Sequence, residues 1–166
     1  MNNPTSGVTF IHSAPAALCP HIEWAISAAL GMPLRLDWVP QEAETASYRA
    51  ETPWHGPVGT ASRLVTTLRR FPQLRFEVTE EPTAATEGLR FAYTPDLGLF
   101  HAQTGPSGDL VVTENQLRVA LRHAEGDPAR LVEALSLLLG ASWDEELEPF
   151  RWAGEAEPVR WLRQVV

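Results

Sequence analysis

Lysine is missing from this chain of 166 residues, and all 13 basic residues are arginine. A lysine Schiff-base nucleophile and a P-loop lysine are thereby excluded, because both need the lysine side-chain amine. The positive charge that remains is permanent and suited to bidentate contacts with carboxylate or phosphate, although genomic base bias is the simplest source of an arginine-only complement. Cys19 is the single cysteine, so no intramolecular disulfide can form. Long apolar runs are also missing: Leu135 to Leu139 contains Ser136 and falls far short of the ~20 residues that span a bilayer. Met1 to Thr9 has neither a basic segment nor an apolar stretch, so a cytoplasmic location is expected. With 21 acidic residues and a formal net charge of −8, duplex nucleic acid is a poor partner, since such binding relies on concentrated positive charge. No Gly-x-Ser-x-Gly elbow, His-Glu-x-x-His pattern or readable carboxylate pair occurs. A protein without catalytic activity or cofactor is therefore the leading expectation.

What is present is a repeat of one plan about forty positions apart. Gly7 to Ser13 reads as a strand, and Pro20 opens a helix whose buried face is Ile22, Ala25, Ile26, Ala29 and Leu30. Gly31 closes that helix, and Pro33 to Val39 reads as the next strand. The second copy has a strand from Tyr48 to about Trp54, with Pro53 limiting where it ends. Its helix runs from Pro57 or Thr60 to Phe71 and buries Val58, Ala61, Val65 and Leu68, and Gln73 to Thr79 is its last strand. The order β-α-β-β-α-β predicts a ferredoxin-like half over residues 6–82.

Residues 88–152 predict a β-meander with helices packed on it. Leu89 to Tyr93, Leu99 to Thr104 and Leu110 to Val112 are separated by Gly-containing turns. Thr113-x-x-Gln116 is a capping box for a helix burying Leu117, Ala120, Leu121 and Ala124. Asp127-Pro128 opens another, with Leu131, Val132, Leu135, Leu138 and Leu139 on its apolar side. Only a short helix is expected after Ser142, because Pro149 intervenes. Residues 153–166 are expected as a docked tail carrying Trp161, Leu162, Val165 and Val166. The expected fold class is α+β in a single domain of residues 1–166.

With the first and third strands taken as adjacent and parallel, both helices would start at one end of the sheet. That would bring His12, Ser13, Cys19 and His21 toward Trp54, His55, Gly56, Gly59, Thr60 and Arg63. Two helix N-termini there would favour an anionic ligand. Cys19 at an N-cap would be a candidate nucleophile with His21, His55 or His12 as base, although a lone cysteine is more commonly a small buried hydrophobe. His12, Cys19, His21 and His55 form an alternative zinc set that matches no zinc spacing motif. Glu23, Asp37 and Glu77 read as solvated residues. Trp24 lies off the apolar face of its helix, so either the C-terminal helices cover it or it meets a partner.

The run HSAPAALCPHIEWAISAALG, with LRLDW, RFEVTEEP and GLFHAQTGPSGD in the same order, resembles an actinobacterial family, domain of unknown function 3145. The resemblance implies a soluble cytoplasmic protein without an assigned catalytic residue, and a link to fatty-acid synthesis by gene neighbourhood. The expected partner is a small anionic ligand or an acyl-carrier-type protein, with no nucleic acid and no membrane, and with homo-oligomerisation open. A Cys19-dependent or metal-dependent enzyme and a structural protein-interaction module are the alternatives.

Overall fold

The computed structural model describes residues 4–152. Its first strand, β1 (Pro4–Pro15), is buried on both faces through most of its length and lies at the interior of the sheet. A single 3-10 turn leads into α1 (Cys19–Leu30), which has Pro20 in its first turn and ends on left-handed Gly31. Then follow β2 (Val39–Pro40), β3 (Ser47–Pro57), α2 (Thr60–Leu68) and β4 (Arg75–Glu80). The second half contains β5 (Gly88–Thr94), β6 (Gly98–Thr104) and β7 (Leu110–Val111), then α3 (Glu114–Ala124), α4 (Pro128–Leu138) and α5 (Ala141–Trp152). The result is an α+β arrangement in which seven antiparallel strands follow the order β2-β3-β1-β4-β5-β6-β7, with five α-helices among the described residues.

Several expectations change. The strand placed at Pro33 to Val39 contracts to Val39–Pro40. Side chains of α1 satisfy the preceding backbone in place of a ladder: Ser27 Oγ bonds both the N–H and the carbonyl of Leu34, and the Leu36 N–H donates to Glu23 Oε2 at 2.9 Å. The third strand runs on through Pro53 to Pro57. Gln41 N–H donates to the Ser47 carbonyl, so backbone groups at odd positions of β3 face outward. Pro53 and Pro57 share that parity, and their missing N–H groups fall on the open edge, where they obstruct pairing with another chain.

The larger core lies between one sheet face and α1 with α2. Ile11, Ile22, Ile26, Leu64, Leu68, Leu74, Phe76 and Val78 are its largest fully buried members. The opposite face is covered by α5, whose Leu147 enters a smaller cluster with Ala92 and Phe100. Trp24 is therefore 74% exposed: the C-terminal helix lies across the sheet from α1 and does not cover it. Nor is α5 short. Pro149 sits inside it, and contacts beyond the proline hold the last turn down: Gln41 Nε2 donates to the Phe150 carbonyl at 3.1 Å, and the Arg75 guanidinium lies 4.5 Å from the Phe150 ring centre. The tail expected over residues 153–166 lies outside the described residues.

Leu117 and Leu121, expected to be buried, are 40% and 58% exposed. The cause is the placement of α3 and α4, which pack chiefly on one another, with α4 touching the start of the helix that follows. They form a two-helix hairpin beside the sheet, so one flank of each helix has no layer to cover it.

Candidate functional site

The expected meeting of two helix N-termini does not occur, because β1 and β3 run antiparallel. Ser6 pairs with His55 and Pro15 with Ser47, so α1 begins at one end of β1 and α2 at the other. Nine residues of strand separate these ends, about 30 Å at ~3.3 Å per residue. Trp54, His55, Gly56, Gly59, Thr60 and Arg63 lie beside Pro4 to Ser6, whereas Cys19 and exposed His21 lie beyond Pro15. His12 and Ser13 belong with neither group and sit within β1. The alternative zinc set of His12, Cys19, His21 and His55 is dispersed in the same way, and no three His, Cys, Asp or Glu side chains among the described residues form a metal-sized group.

The α2 N-terminus is also already occupied by an internal anion. Buried Glu80 accepts from Gly59 N–H at 2.9 Å and from Ala61 N–H at 2.9 Å, filling the place proposed for a ligand anion. Thr60 Oγ1 donates to the Pro57 carbonyl, and Arg63 donates to that hydroxyl. At α1, buried Cys19 donates its thiol to the Pro15 carbonyl at 3.6 Å, and burial pushes its pKa up, only partly offset by a backbone hydrogen bond. A nucleophilic cysteine needs the opposite shift. Reaction with a disulfide reagent at pH 7.5 is expected to be at least ~10-fold slower in native protein than in urea-unfolded protein; equal rates would restore Cys19 as a reactive thiol.

His12 joins a charge cluster on the sheet face beneath α5. Glu77, read from the sequence as solvated, is fully buried there. Its Oε2 accepts from His12 Nε2 at 2.8 Å and Arg151 Nε at 3.0 Å, while Oε1 accepts from Arg90 at 3.0 Å and Arg151 at 2.7 Å. Asp144 accepts from both arginines, at 2.5 and 2.9 Å. Burial opposes ionisation of Glu77, but the His12 hydrogen bond and the attraction of His12, Arg151 and Arg90 outweigh it and hold the carboxyl well below the usual range. A second set lies alongside: Arg75 contacts Ser13 Oγ, Glu44 and Glu146, and Thr94 Oγ1 donates to Glu146 at 2.8 Å. Both Glu77 oxygens are thus doubly engaged and closed to solvent. The cluster fastens α5 to the sheet rather than presenting an acid or base to a substrate.

Among the described residues, His55 and Gly56 line a hollow with Pro4 to Ser6 and Pro57, and a cleft of about 800 Å³ lies along one side of the α3–α4 hairpin. Val119, Ala120, Ala134, Leu137 and Leu138 supply its apolar surface. Asn115, Gln116, His123, Arg130 and Glu133 add exposed polar groups to its lining, with Ser142 of α5. The capping box expected at Thr113 is present, with the Gln116 N–H donating to Thr113 Oγ1 and the Thr113 N–H to Gln116 Oε1. Asp127 caps α4. Ala120 and Ala134 line the cleft, where bulkier side chains would fill it. The apolar spacing of both helices is legible in the sequence, but it does not show that one flank of each lines a groove. No sequence signal distinguishes a helix face turned to a core from one turned to a groove.

The family described as Protein of unknown function (DUF3145) matches residues 8–164. No curated protein and no solved structure matches the chain.

Proposed function

This chain belongs to the DUF3145 family, proteins of unknown function, and we propose that it is a non-catalytic binding or accessory protein whose α3–α4 cleft takes the apolar part of a partner-borne ligand. The observation that carries this reading is a groove with an apolar floor and a polar mouth, of about 800 Å³, within the ~300–1,000 Å³ typical of ligand sites. Such a groove suits an acyl group delivered by an acyl-carrier-type partner. The chain would lie on Ala120, Ala134 and Leu138 while the amide-rich linker meets Asn115, Gln116 and His123 at the mouth. Arg130 is engaged by Glu125 and Asp127, which favours a neutral linker over a free anion.

The test compares octanoyl-carrier protein, unacylated carrier protein and octanoyl-CoA by thermal shift and titration. At ten times Kd the acylated probe is expected to raise Tm by about 3–5 °C. Ala134→Trp, which fills the floor, and Leu137→Glu, at an exposed wall position, should each abolish the shift. No shift with any probe, or an undiminished shift in both variants, would overturn the reading.

We also infer that the first half is ferredoxin-like. Supporting this are the neighbour order β2-β3-β1-β4 and the placement of one helix between β1 and β2 and another between β3 and β4. An actinobacterial, cytoplasmic home accords with the arginine-only basic complement and the acidic charge.

A further inference from the structure

Charge is unevenly spread along this chain. Between Glu51 and Glu77 no acidic residue occurs, and Arg63, Arg69, Arg70 and Arg75 give residues 52–76 a formal charge of +4 in a chain of −8. Arg75 is paired with Glu44 and Glu146. The other three belong to α2 and its C-terminal turn, and all are exposed. Arg63 donates to the Thr60 hydroxyl, whereas the guanidiniums of Arg69 and Arg70 make no hydrogen bond or ion pair among the described residues. The helix dipole favours cations at a C-terminus, which suits Arg69 and Arg70, but Arg63 stands in the first turn, against it.

These arginines border a groove. The end of α1 lies against the start of α2, so the two helices run antiparallel, and Ala28, Ala29, Ser62, Arg63, Thr66 and Thr67 line a hollow between them. At helical spacings of three and four, the α2 rows continue to Arg69 and Arg70, and the α1 rows run back to Ala25 and Trp24. Trp24 is the most exposed large apolar side chain among the described residues. Glu23, the one acid of α1, is engaged by the Leu36 N–H. We propose that this groove docks an acidic amphipathic helix of a partner protein, with an apolar side chain against Trp24 and carboxylates on Arg63 and Arg70. Charge complementarity selects the occupant: exposed guanidinium forks without acidic partners suit carboxylates, and a tryptophan beside them suits an apolar anchor. Arg63 and Arg70 are two helical turns apart, about 10 Å, which matches acids seven positions apart on a facing helix. The floor of alanine, serine and threonine lets that helix approach closely. An anionic membrane fits less well, because the surface is concave and the rest of the chain is strongly negative.

The probe is a stapled helical peptide with leucines on one face and glutamates seven positions apart beside them, and its twin carries glutamine for each glutamate. By fluorescence anisotropy the full chain is expected to bind the glutamate peptide with a Kd of about 10–100 µM at ~50 mM salt, and roughly 10-fold more weakly at ~500 mM. The glutamine twin should bind at least ~10-fold more weakly. Trp24→Ala, Arg63→Glu and Arg70→Glu, all at exposed positions, should each weaken binding by about 5–10-fold while Tm stays within ~2 °C of wild type. A peptide with lysine at the glutamate that faces Arg70 should recover binding to Arg70→Glu. Absence of binding at ~1 mM peptide, equal binding of the two peptides, or binding unaffected by all three substitutions overturns the inference. Binding to phosphatidylglycerol vesicles through Trp24 and Arg63, without binding of the peptide, assigns the surface to a membrane and overturns it equally. The groove shares no residue with the α3–α4 cleft, so these variants should leave acyl binding unchanged, and either reading can fail without the other.

Discussion

Replacing Glu77 by alanine is expected to lower the free energy of unfolding by about 3–5 kcal/mol, among the largest effects of any single substitution in this chain. The size follows from what the substitution leaves behind. Arg90, Arg151 and His12 all direct donors at a carboxylate with no exposure to solvent, and its removal strands them where water cannot replace it. The attraction in the intact cluster is not the measure of this loss, because desolvating its charges opposes it; the measure is the two buried guanidiniums left with fewer anionic partners, Asp144 among them. Since Arg151 belongs to the last turn of α5, that turn should loosen first. Urea unfolding monitored by tryptophan fluorescence gives the number, and a loss below ~1 kcal/mol would show that the cluster is not a fastening.

The same carboxylate sets an acid limb. Its folded pKa is depressed below the unfolded value of 4.5, so its contribution is complete above that pH. As pH falls below 4.5, the unfolded chain takes up a proton that the folded chain refuses, and stability declines until the folded pKa is reached. The slope approaches ~1.4 kcal/mol per pH unit for one group. Glu44 is shifted in the same direction, despite the opposing effect of burial, through Ser47, Ser13 and Arg75. It is partly exposed and contributes less. Glu77→Gln preserves the shape, and its stability should be nearly flat between pH 5 and pH 3 relative to wild type; an unchanged acid limb would place the titration elsewhere.

Gly7→Ala should be comparably severe, with a loss of about 3 kcal/mol or more and a Tm lower by roughly 6–12 °C. A Cβ at this position would lie 1.9 Å from the Thr79 carbonyl oxygen and 2.4 Å from the Trp54 ring. Neither neighbour is free to retreat. Thr79 is held by its side-chain bond to the Val8 N–H, the Ser6 carbonyl accepts from the Glu81 N–H at 2.8 Å, and Trp54 is buried in the larger core. The indole covers the glycine across the strand pair, a placement that only a missing side chain allows. Differential scanning calorimetry checks the magnitude, and a Tm within 2 °C of wild type would mean that β1 and β4 can part without cost.

Gly7 and Glu77 also mark the limit of what local pattern conveys. In the stretch Arg75 to Glu80, alternation puts Phe76 and Val78 on one face and Glu77 on the other, and a charged residue on a strand is ordinarily solvated. It became the most buried charge among the described residues because α5, from about seventy residues later in sequence, lies over that face. Glu80 was similarly unreadable: its partners Gly59 and Ala61 are distant in sequence. The placement of His55 to Thr60 apart from Cys19 and His21 turned on one sign, antiparallel against parallel, in the pairing of β1 with β3. The strand pattern holds no information on that sign. The connections do, since a strand inserted between two strands joined by a crossover must oppose both.

Residues near in sequence were sufficient for the elements whose causes are local. The capping box at Thr113 and Gln116, the Asp127 cap, the Pro20 start and Gly31 stop of α1, and the meander turns all depend on groups within a few positions of each other. Composition likewise excluded lysine side-chain chemistry and internal disulfides, because a missing residue type is missing in every fold. Long-range arrangement governed everything that gives the molecule its surfaces: which charges α5 would bury, which helix end Glu80 would fill, and why Leu121 and Val132 stand exposed while Leu147 does not. Apolar periodicity states that a face must be covered, but the covering element is chosen by packing over the whole chain, where the gain from burying one surface is weighed against every other.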